Sequence, residues 1–407
     1  MIGKFIASLL LTGILVVPAH AETDAVESPF SIRGFGTVGL ARSSSDHAEF
    51  VRDLSQPVGI KGGKWSGRID TILGLQANWR ATQELEFVGQ VISRLHFDRS
   101  HNPELMWAFA KWEPDPRFSL RAGRIGADFM MLADSRLVGY SYLTVRPPTD
   151  FFGPLFFSHF DGADVSGTIP IGDGLVRGKL FAGKTKEKSA GTLGVWDTSG
   201  SPVGGLVLDY VTGPWHVRLN SARIRFASDM NTSMLTEPLI FAHNLGVSGA
   251  LDAVKTLQTK DAAARFLSFG VAYDRGPLQL QGMLNRIRQE SAVFQSSHAG
   301  YLLAAYRVGS VTPFIGVSRW KTYPHEYLPV VGDAFLDGVY SGFVAGSKVD
   351  RTTYSLGARW DIHRQIALKL QWDAVRASRD TGFSFANATQ AWNGKTDVLT
   401  ATMDFVF

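Results

Sequence analysis

Residues 397–407 read Asp-Val-Leu-Thr-Ala-Thr-Met-Asp-Phe-Val-Phe. Leu399, Ala401, Met403, Phe405 and Phe407 occupy alternate positions, with Thr400, Thr402 and Asp404 between them. Side chains alternate across a strand, so this segment carries one apolar face and one mostly polar face. A soluble sandwich also contains strands of that kind. The choice between a sandwich and a membrane barrel therefore rests on whether the pattern recurs.

It recurs along the chain. Residues 70–79 place Thr71, Leu73, Leu75, Ala77 and Trp79 on one face, with Gln76 and Asn78 on the other. Residues 354–361 set Tyr354, Leu356, Ala358 and Trp360 against Ser355, Gly357, Arg359 and Asp361. Comparable segments lie at 30–42, 85–96, 105–112, 118–124, 162–170, 175–184, 203–210, 215–226, 265–273, 278–288, 299–307, 311–320 and 366–376. With 397–407 they predict about sixteen strands in an all-β, transmembrane antiparallel barrel, with short turns at one end and long loops at the other. Several reach the ~9–11 residues that a tilted strand needs to cross a bilayer. Trp79, Trp112, Tyr210, Trp215, Tyr273, Tyr306 and Trp360 all adjoin short turns. Their common height suits an interfacial aromatic girdle, although aromatics also cap strands of soluble sheets.

The N-terminus indicates export. Met1-Ile-Gly-Lys4 is basic, residues 5–17 are apolar, and Pro18-Ala19-His20-Ala21 has the small-residue form of a cleavage site. Residues 1–21 are therefore expected to be a secretory signal peptide, and 22–407 the barrel. The apolar run falls short of the ~20 residues of a spanning helix. No cysteine occurs, and mean hydropathy is +0.01. A closed sheet does without disulfides because every strand edge is paired. Arg and Lys number 41 against 37 Asp and Glu, for a pI near 9.2. No basic tail or aromatic-basic module points to nucleic acid, so the positive excess is expected inside the barrel.

The long connections are 43–69, 125–160, 184–202, 227–264, 321–351 and 377–396. The segment 125–160 combines Phe129, Met130, Met131, Leu132, Phe151 and Phe152 with Asp128, Asp134, Arg136, Arg146 and Asp150. A loop so apolar is not expected to float in water. Folded inward it would constrict the pore; folded outward it would cap the barrel or contact another subunit. The inward placement makes Arg121, Arg124, Asp134, Arg136, Arg146 and Asp150 candidate constriction residues. By strand parity, Arg94, Arg177, Lys179, Arg218, Arg286, Arg359 and Lys369 are candidate pore-lining cations, with Arg80 beside them. Glu86, Asp164, Asp209, Asp361, Asp373 and Asp404 supply inward acids. A mixed, slightly basic lining suggests a weak anion preference. Arg and Lys near strand ends can instead snorkel to headgroups or lipopolysaccharide phosphates, and bulges can reverse parity.

The segments FSIRGFG (30–36), LRAGR (120–124), YSLGARW (354–360), ALKLQW (367–372) and terminal Phe407 resemble the trimeric outer-membrane porins of Gram-negative bacteria. General and phosphate-selective porins are the nearest groups. That resemblance implies a homotrimer in the cell outer membrane, surrounded by lipid and lipopolysaccharide. It also implies that the third loop, 125–160, folds into the pore and that Phe407 is an assembly signal read by the barrel-assembly machinery. The loop lacks the acidic signature of general porins, and no dense lysine and arginine ladder marks phosphate selectivity, so the solute stays open.

A passive pore needs no cofactor and no catalytic residue. Barrel enzymes need a compact constellation such as Ser with His, whereas the histidines here are scattered. Ser158, His159 and Asp161 adjoin one another only in sequence, and no metal-ligand spacing such as HExxH occurs. A substrate-specific uptake channel or an adhesin-like barrel are further alternatives. Residues 252–265 read as an Ala-rich helix in an external loop.

Overall fold

A computed structural model describes residues 28–128, 130–155, 158–191, 194–379, 381 and 385–407. The expected signal peptide lies outside the described residues. Sixteen long strands form the wall: β1 Phe30–Ser43, β2 Ile72–Arg80, β3 Leu85–Ser93, β4 Glu104–Asp115, β5 Phe118–Gly126, β6 His159–Ile171, β7 Gly174–Lys184 and β8 Pro202–Thr212, followed by β9 Trp215–Arg225, β10 Ala263–Arg275, β11 Leu278–Gln289, β12 Ser296–Tyr306, β13 Val311–Tyr323, β14 Asp350–His363, β15 Ile366–Ala377 and β16 Lys395–Val406. Each pairs antiparallel with its neighbour in sequence. β16 pairs with β1 from Phe35↔Val406 to Ser43↔Val398, which closes the barrel.

The closing strand behaves as its alternation requires. Leu399, Met403 and Phe407 are exposed on the outside, while Thr400, Thr402 and Asp404 are buried on the inside. The same division runs round the wall: Leu284, Leu302, Ile315, Leu356 and Leu370 face outward and are more than half exposed. In water such a surface would be a large apolar liability; against lipid it is the expected face. Trp79, Trp112, Trp215, Tyr306 and Trp360 stand exposed beside the short turns. Trp215 meets Tyr273 edge-on at 4.7 Å across β9 and β10.

The opposite end carries the long connections. Three helices lie there: Ser233–Asn244 and Ala250–Leu257 between β9 and β10, and Ala334–Ala345 between β13 and β14. The Ala-rich helix thus starts earlier than 252 and stops at Leu257, and the chain is extended again from Ala263. The other two helices escaped the sequence reading because strand-like apolar spacing does not mark them. Their inner faces join a cluster with Phe226, Leu257, Val331 and Tyr340, which extends inside the wall to Met130, Phe151 and Tyr301.

A lipid-facing wall makes a direct prediction. Leu356→Arg puts a charge mid-strand on the outer face and should cost about 2–4 kcal/mol if that face meets the bilayer midplane. Urea titration of the protein in phospholipid vesicles measures it; a neutral substitution would contradict the outward orientation of that face.

Candidate functional site

The interior is decided by residues 127–158, which leave β5 and return as β6. Met130, Met131, Phe151, Phe152 and Leu155 are buried in this segment. Phe151 and Phe152 pack against Tyr301 on the inner face of β12, with centroids 5.1 and 6.0 Å away. Phe129 lies outside the described residues. The apolar residues therefore draw the loop into the lumen. Its tip reaches the far end, where the Tyr140 hydroxyl donates to the Arg364 carbonyl at 2.7 Å in the turn between β14 and β15.

Buried charges fix the loop to one side of the wall. Arg146 is 1% exposed. It donates to both Asp70 carboxylate oxygens at 2.9 and 2.6 Å, to Asp373 Oδ2 at 3.1 Å and to Thr400 Oγ1 at 2.7 Å. Asp150 accepts from Ser318 Oγ at 2.6 Å and from Arg351. Lys369 Nζ donates to the Gly139 and Thr144 carbonyls at 2.7 and 3.0 Å and lies 3.0 Å from Asp404. Arg359 donates to the Tyr140 and Tyr142 carbonyls at 2.7 and 3.1 Å. Gly139 fits only without a side chain, because a Cβ there would sit 2.1 Å from Asp404 Oδ1 and 2.2 Å from Thr37 Oγ1.

The expected constriction residues therefore divide by role. Arg146 and Asp150 are internal staples with no face toward a passing solute. Arg136 is likewise buried; it donates to Ser158 Oγ at 2.7 Å, while its carbonyl accepts from Arg52. Lys369 and Arg359 hold loop carbonyls. Each charge is saturated by partners, the condition under which a buried ion is tolerated.

On the other side the inward faces of β5–β9 carry a charged group that stays partly open to solvent. Arg121 grips Asp164 in a two-pronged ion pair at 3.0 and 2.5 Å. Loop residue Asp128 accepts from Lys179 and, at 2.7 Å, from Arg218. Arg218 also donates to Asp209 at 2.6 Å, and His216 lies 2.7 Å from the same carboxylate. Arg177 donates to Ser166 Oγ at 3.2 Å and has no carboxylate within ion-pair distance among the described residues. Asp134 is half-buried near this group. Burial, and then the charge of Asp128, push its carboxyl up to about 6. Asp128 itself is held below the usual carboxylate range: Arg218 and Lys179 outweigh the burial that opposes them.

Three candidates stand elsewhere. Arg124 projects from the outer face of β5 and pairs at 2.7 Å with Asp161, which is 45% exposed, so it is not a constriction residue. Regular alternation accounts for this: Arg124 lies three residues beyond inward Arg121 in an unbroken register with β6. Arg286 shares the outward face of β11 with Leu284 and is exposed, so it does not line the lumen. Arg94 lies past the end of β3, where it donates to Ser55 of the first long loop at 3.0 Å. Sequence reasoning missed Asp70 and Arg52, whose roles depend on where the distant loop comes to rest. The Ser158–His159 neighbourhood forms no nucleophile–base pair: Ser158 Oγ is bonded to Arg136, and His159 faces Glu187 at 2.6 Å.

No protein-family model matches the chain, and no curated protein sequence does. Its fold matches solved outer-membrane barrels. OmpF of Salmonella typhi, solved in complex with daunomycin, aligns with a TM-score of 0.56 at 11% identity, over 93% of this chain and 97% of that one. The anion-selective porin of Comamonas acidovorans gives 0.52 at 12% identity, over 93% of this chain and 100% of the other. The outer-membrane expressed OmpT of Vibrio cholerae gives 0.50 at 10% identity, over 93% and 98%. The chain has the porin-like fold: a closed, sixteen-stranded antiparallel barrel of outer-membrane type.

Removing the Arg146 guanidinium leaves Asp70 and Asp373 buried without their cation. Arg146→Ala is expected to lose about 3–5 kcal/mol, the range for breaking one partner of a buried pair. It should also expose residues 127–158 to limited proteolysis. An unchanged unfolding midpoint with a protected loop would contradict the staple.

Proposed function

We propose that the chain is a passive outer-membrane channel for small hydrophilic solutes and ions, with a mild preference for anions. The observation that carries this reading is the unequal filling of the lumen. The loop seals the side of β12–β16, and its charged stem faces a half-open wall at β5–β9. A barrel of this strand number leaves an aqueous lumen unless something fills it. Here the polar side chains that remain partly solvated, Arg121, Arg177, His216 and Arg218, mark the path left for a solute. Fixed charges at that narrowing act on permeating ions by electrostatics alone, so transport is downhill and no residue is catalytic.

Arg121, Arg177, Lys179 and Arg218 balance Asp128, Asp134, Asp164 and Asp209 in number, and Arg177 is the cation without an acidic partner. Its guanidinium, held by Ser166 alone among the described residues, tilts the local field toward anions, and below about pH 6 the protonation of Asp134 adds to that tilt. The Comamonas acidovorans neighbour is described as anion-selective. Residence in the Gram-negative outer membrane after removal of residues 1–21, assembly through Phe407 by the barrel-assembly machinery, and a homotrimer belong to the same reading. Single-channel recording in a planar bilayer tests it. Discrete open steps with anion-biased reversal potentials are expected; a folded barrel without conductance would overturn the pore. Block by one solute at low concentration would instead point to a substrate-specific channel.

Asp134 gives a pH test with a defined sign. Its carboxyl is neutral below about pH 6 and charged above it. The charge of Asp128 raises it and those of Lys179, Arg218 and Arg121 oppose that, while Arg136 lines the same cavity. Lowering the pH from 7.5 to 5 therefore removes one negative charge from the passage, and the anion-to-cation permeability ratio should rise. Asp134→Asn should hold the acid-side ratio at both pH values. A ratio that does not move in the parent protein, or moves equally in the variant, would discount this residue as the sensor.

A further inference from the structure

The connection between β7 and β8 leaves the wall as a separate hairpin. Lys188–Gly191 pairs with Gly194–Asp197, and neither strand joins the barrel ladder. Glu187 ties down the root. Its carboxylate accepts from the Ser158 and His159 backbone N–H groups at 2.6 and 2.9 Å, and its carbonyl accepts from the Thr198 N–H at 3.0 Å. From that root the hairpin reaches two other connections. Ser189 Oγ donates to the Leu54 carbonyl, between β1 and β2, at 2.9 Å. Trp196 meets Phe294, between β11 and β12, edge-on at 4.9 Å. The three connections stand four to six strands apart round the ring of sixteen. An element that touches all three crosses the mouth of the barrel.

Below the hairpin the long-loop half of the lumen is filled. Each of the sixteen strands carries a buried inward residue in that half. Ile125, Phe181, Ala222, Phe266 and Trp320 share one apolar cluster with Trp196 and with Phe151 of the inward loop. Asn78, Lys111, Arg177, His216 and Gln279 keep access to water, and all lie within four residues of the short-turn ends of their strands. The solvated lumen is therefore a vestibule that opens at the short-turn end and meets apolar side chains at the other. A water-filled path through the barrel needs an opening in that core.

The loop 127–158 does not supply the opening, because buried ion pairs staple it to the wall. The hairpin is held differently, by its root, by the Ser189 contact and by the packing of Trp196. That indole belongs to the hairpin as a unit: a Cβ at Gly191 on the paired strand would sit 2.2 Å from Trp196 Nε1, so the glycine makes room for the ring. We propose that the hairpin is a lid over the extracellular mouth, latched by Trp196, and that solutes pass when it swings outward about its Glu187 root. Long loops mark the extracellular end of such barrels, which places the lid on the outside. Drawing a buried indole away from apolar neighbours is unfavourable, so the closed form dominates and openings are rare. The lid rests on the channel reading above and adds regulation to it.

Single-channel recording of the full-length protein tests the lid, with folding of each variant checked by circular dichroism. The parent should open in brief, infrequent steps. Trp196→Ala should raise the open fraction roughly tenfold or more, since a large buried side chain is lost from the latch. The chain has no cysteine of its own, so Leu54→Cys/Ser189→Cys can be joined by a short cleavable bis-maleimide. That crosslink should silence the channel and its cleavage should restore openings, whereas Ser189→Cys capped alone by the same reagent should still open. A parent that stays open, and stays equally open when crosslinked, would overturn the lid and leave the pore standing. Silence of the folded parent, of Trp196→Ala and of a variant lacking residues 188–197 would overturn the channel reading itself, and the lid with it.

Discussion

The buried guanidinium of Arg146 is the contact on which the interior depends. It joins four parts of the chain: its own loop, Asp70 just before β2, Asp373 on β15 and Thr400 on β16. A charge taken out of water is stable only when its donors are used. Here the geometry uses three of the strongest available acceptors. With Lys369 on Asp404 and Asp150 on Arg351, it fixes a loop that no β-ladder holds. The barrel wall would close without the loop, but the lumen would then be wide. These ion pairs decide how wide.

The pattern also explains why the wall tolerates polar residues at its centre. A membrane barrel inverts the soluble arrangement, with leucines outside and Asp, Lys and Arg inside. On the side of β12–β16 the loop covers these inward charges completely, and they become structural. On the side of β5–β9 the same residue types remain half-open and can act on ions. One chain thus uses inward charge in two ways, and the difference is set by which side the loop's apolar residues find. Tyr301, with Phe151 and Phe152 against it, marks the side that is filled.

The wall was legible because its rule has a period of two and repeats. The strand count, the outward leucines, the girdle at the short turns and the polarity of β16 all follow from alternation. The length and apolar content of 125–160 also indicated its inward fold. What alternation could not supply was the depth of the loop or the identity of its anchors. Arg146 and Asp150 look from sequence like charges facing a pore; only the distant partners Asp70, Asp373 and Arg351 make them staples. Alternation itself held at Arg124, three residues from inward Arg121 and so on the opposite face, and at Arg286, which shares its parity with outward Leu284; the expectation that charge faces the lumen overrode it. The helices Ser233–Asn244 and Ala334–Ala345 were missed because they lie in loops, where period two does not apply; Asp333, which caps the second by accepting from the Leu336 N–H at 2.9 Å, was the one local signal for it.

The misreading of Arg286 has a physical content of its own. An arginine is expected inside a barrel because lipid excludes charge, and the expectation holds near the midplane. At the border of the apolar band the side chain can extend to headgroup level, so the exclusion lapses over the last few residues of each strand. Position along the strand therefore matters as much as parity. Arg286, Arg288 and Lys321 lie within four residues of the long-loop ends of β11 and β13, whereas Leu284 and Ile315 lie deeper. Arg42 on β1 and Lys184 on β7 stand exposed at the same border, also without a carboxylate partner among the described residues, so the exclusion lapses all round the wall.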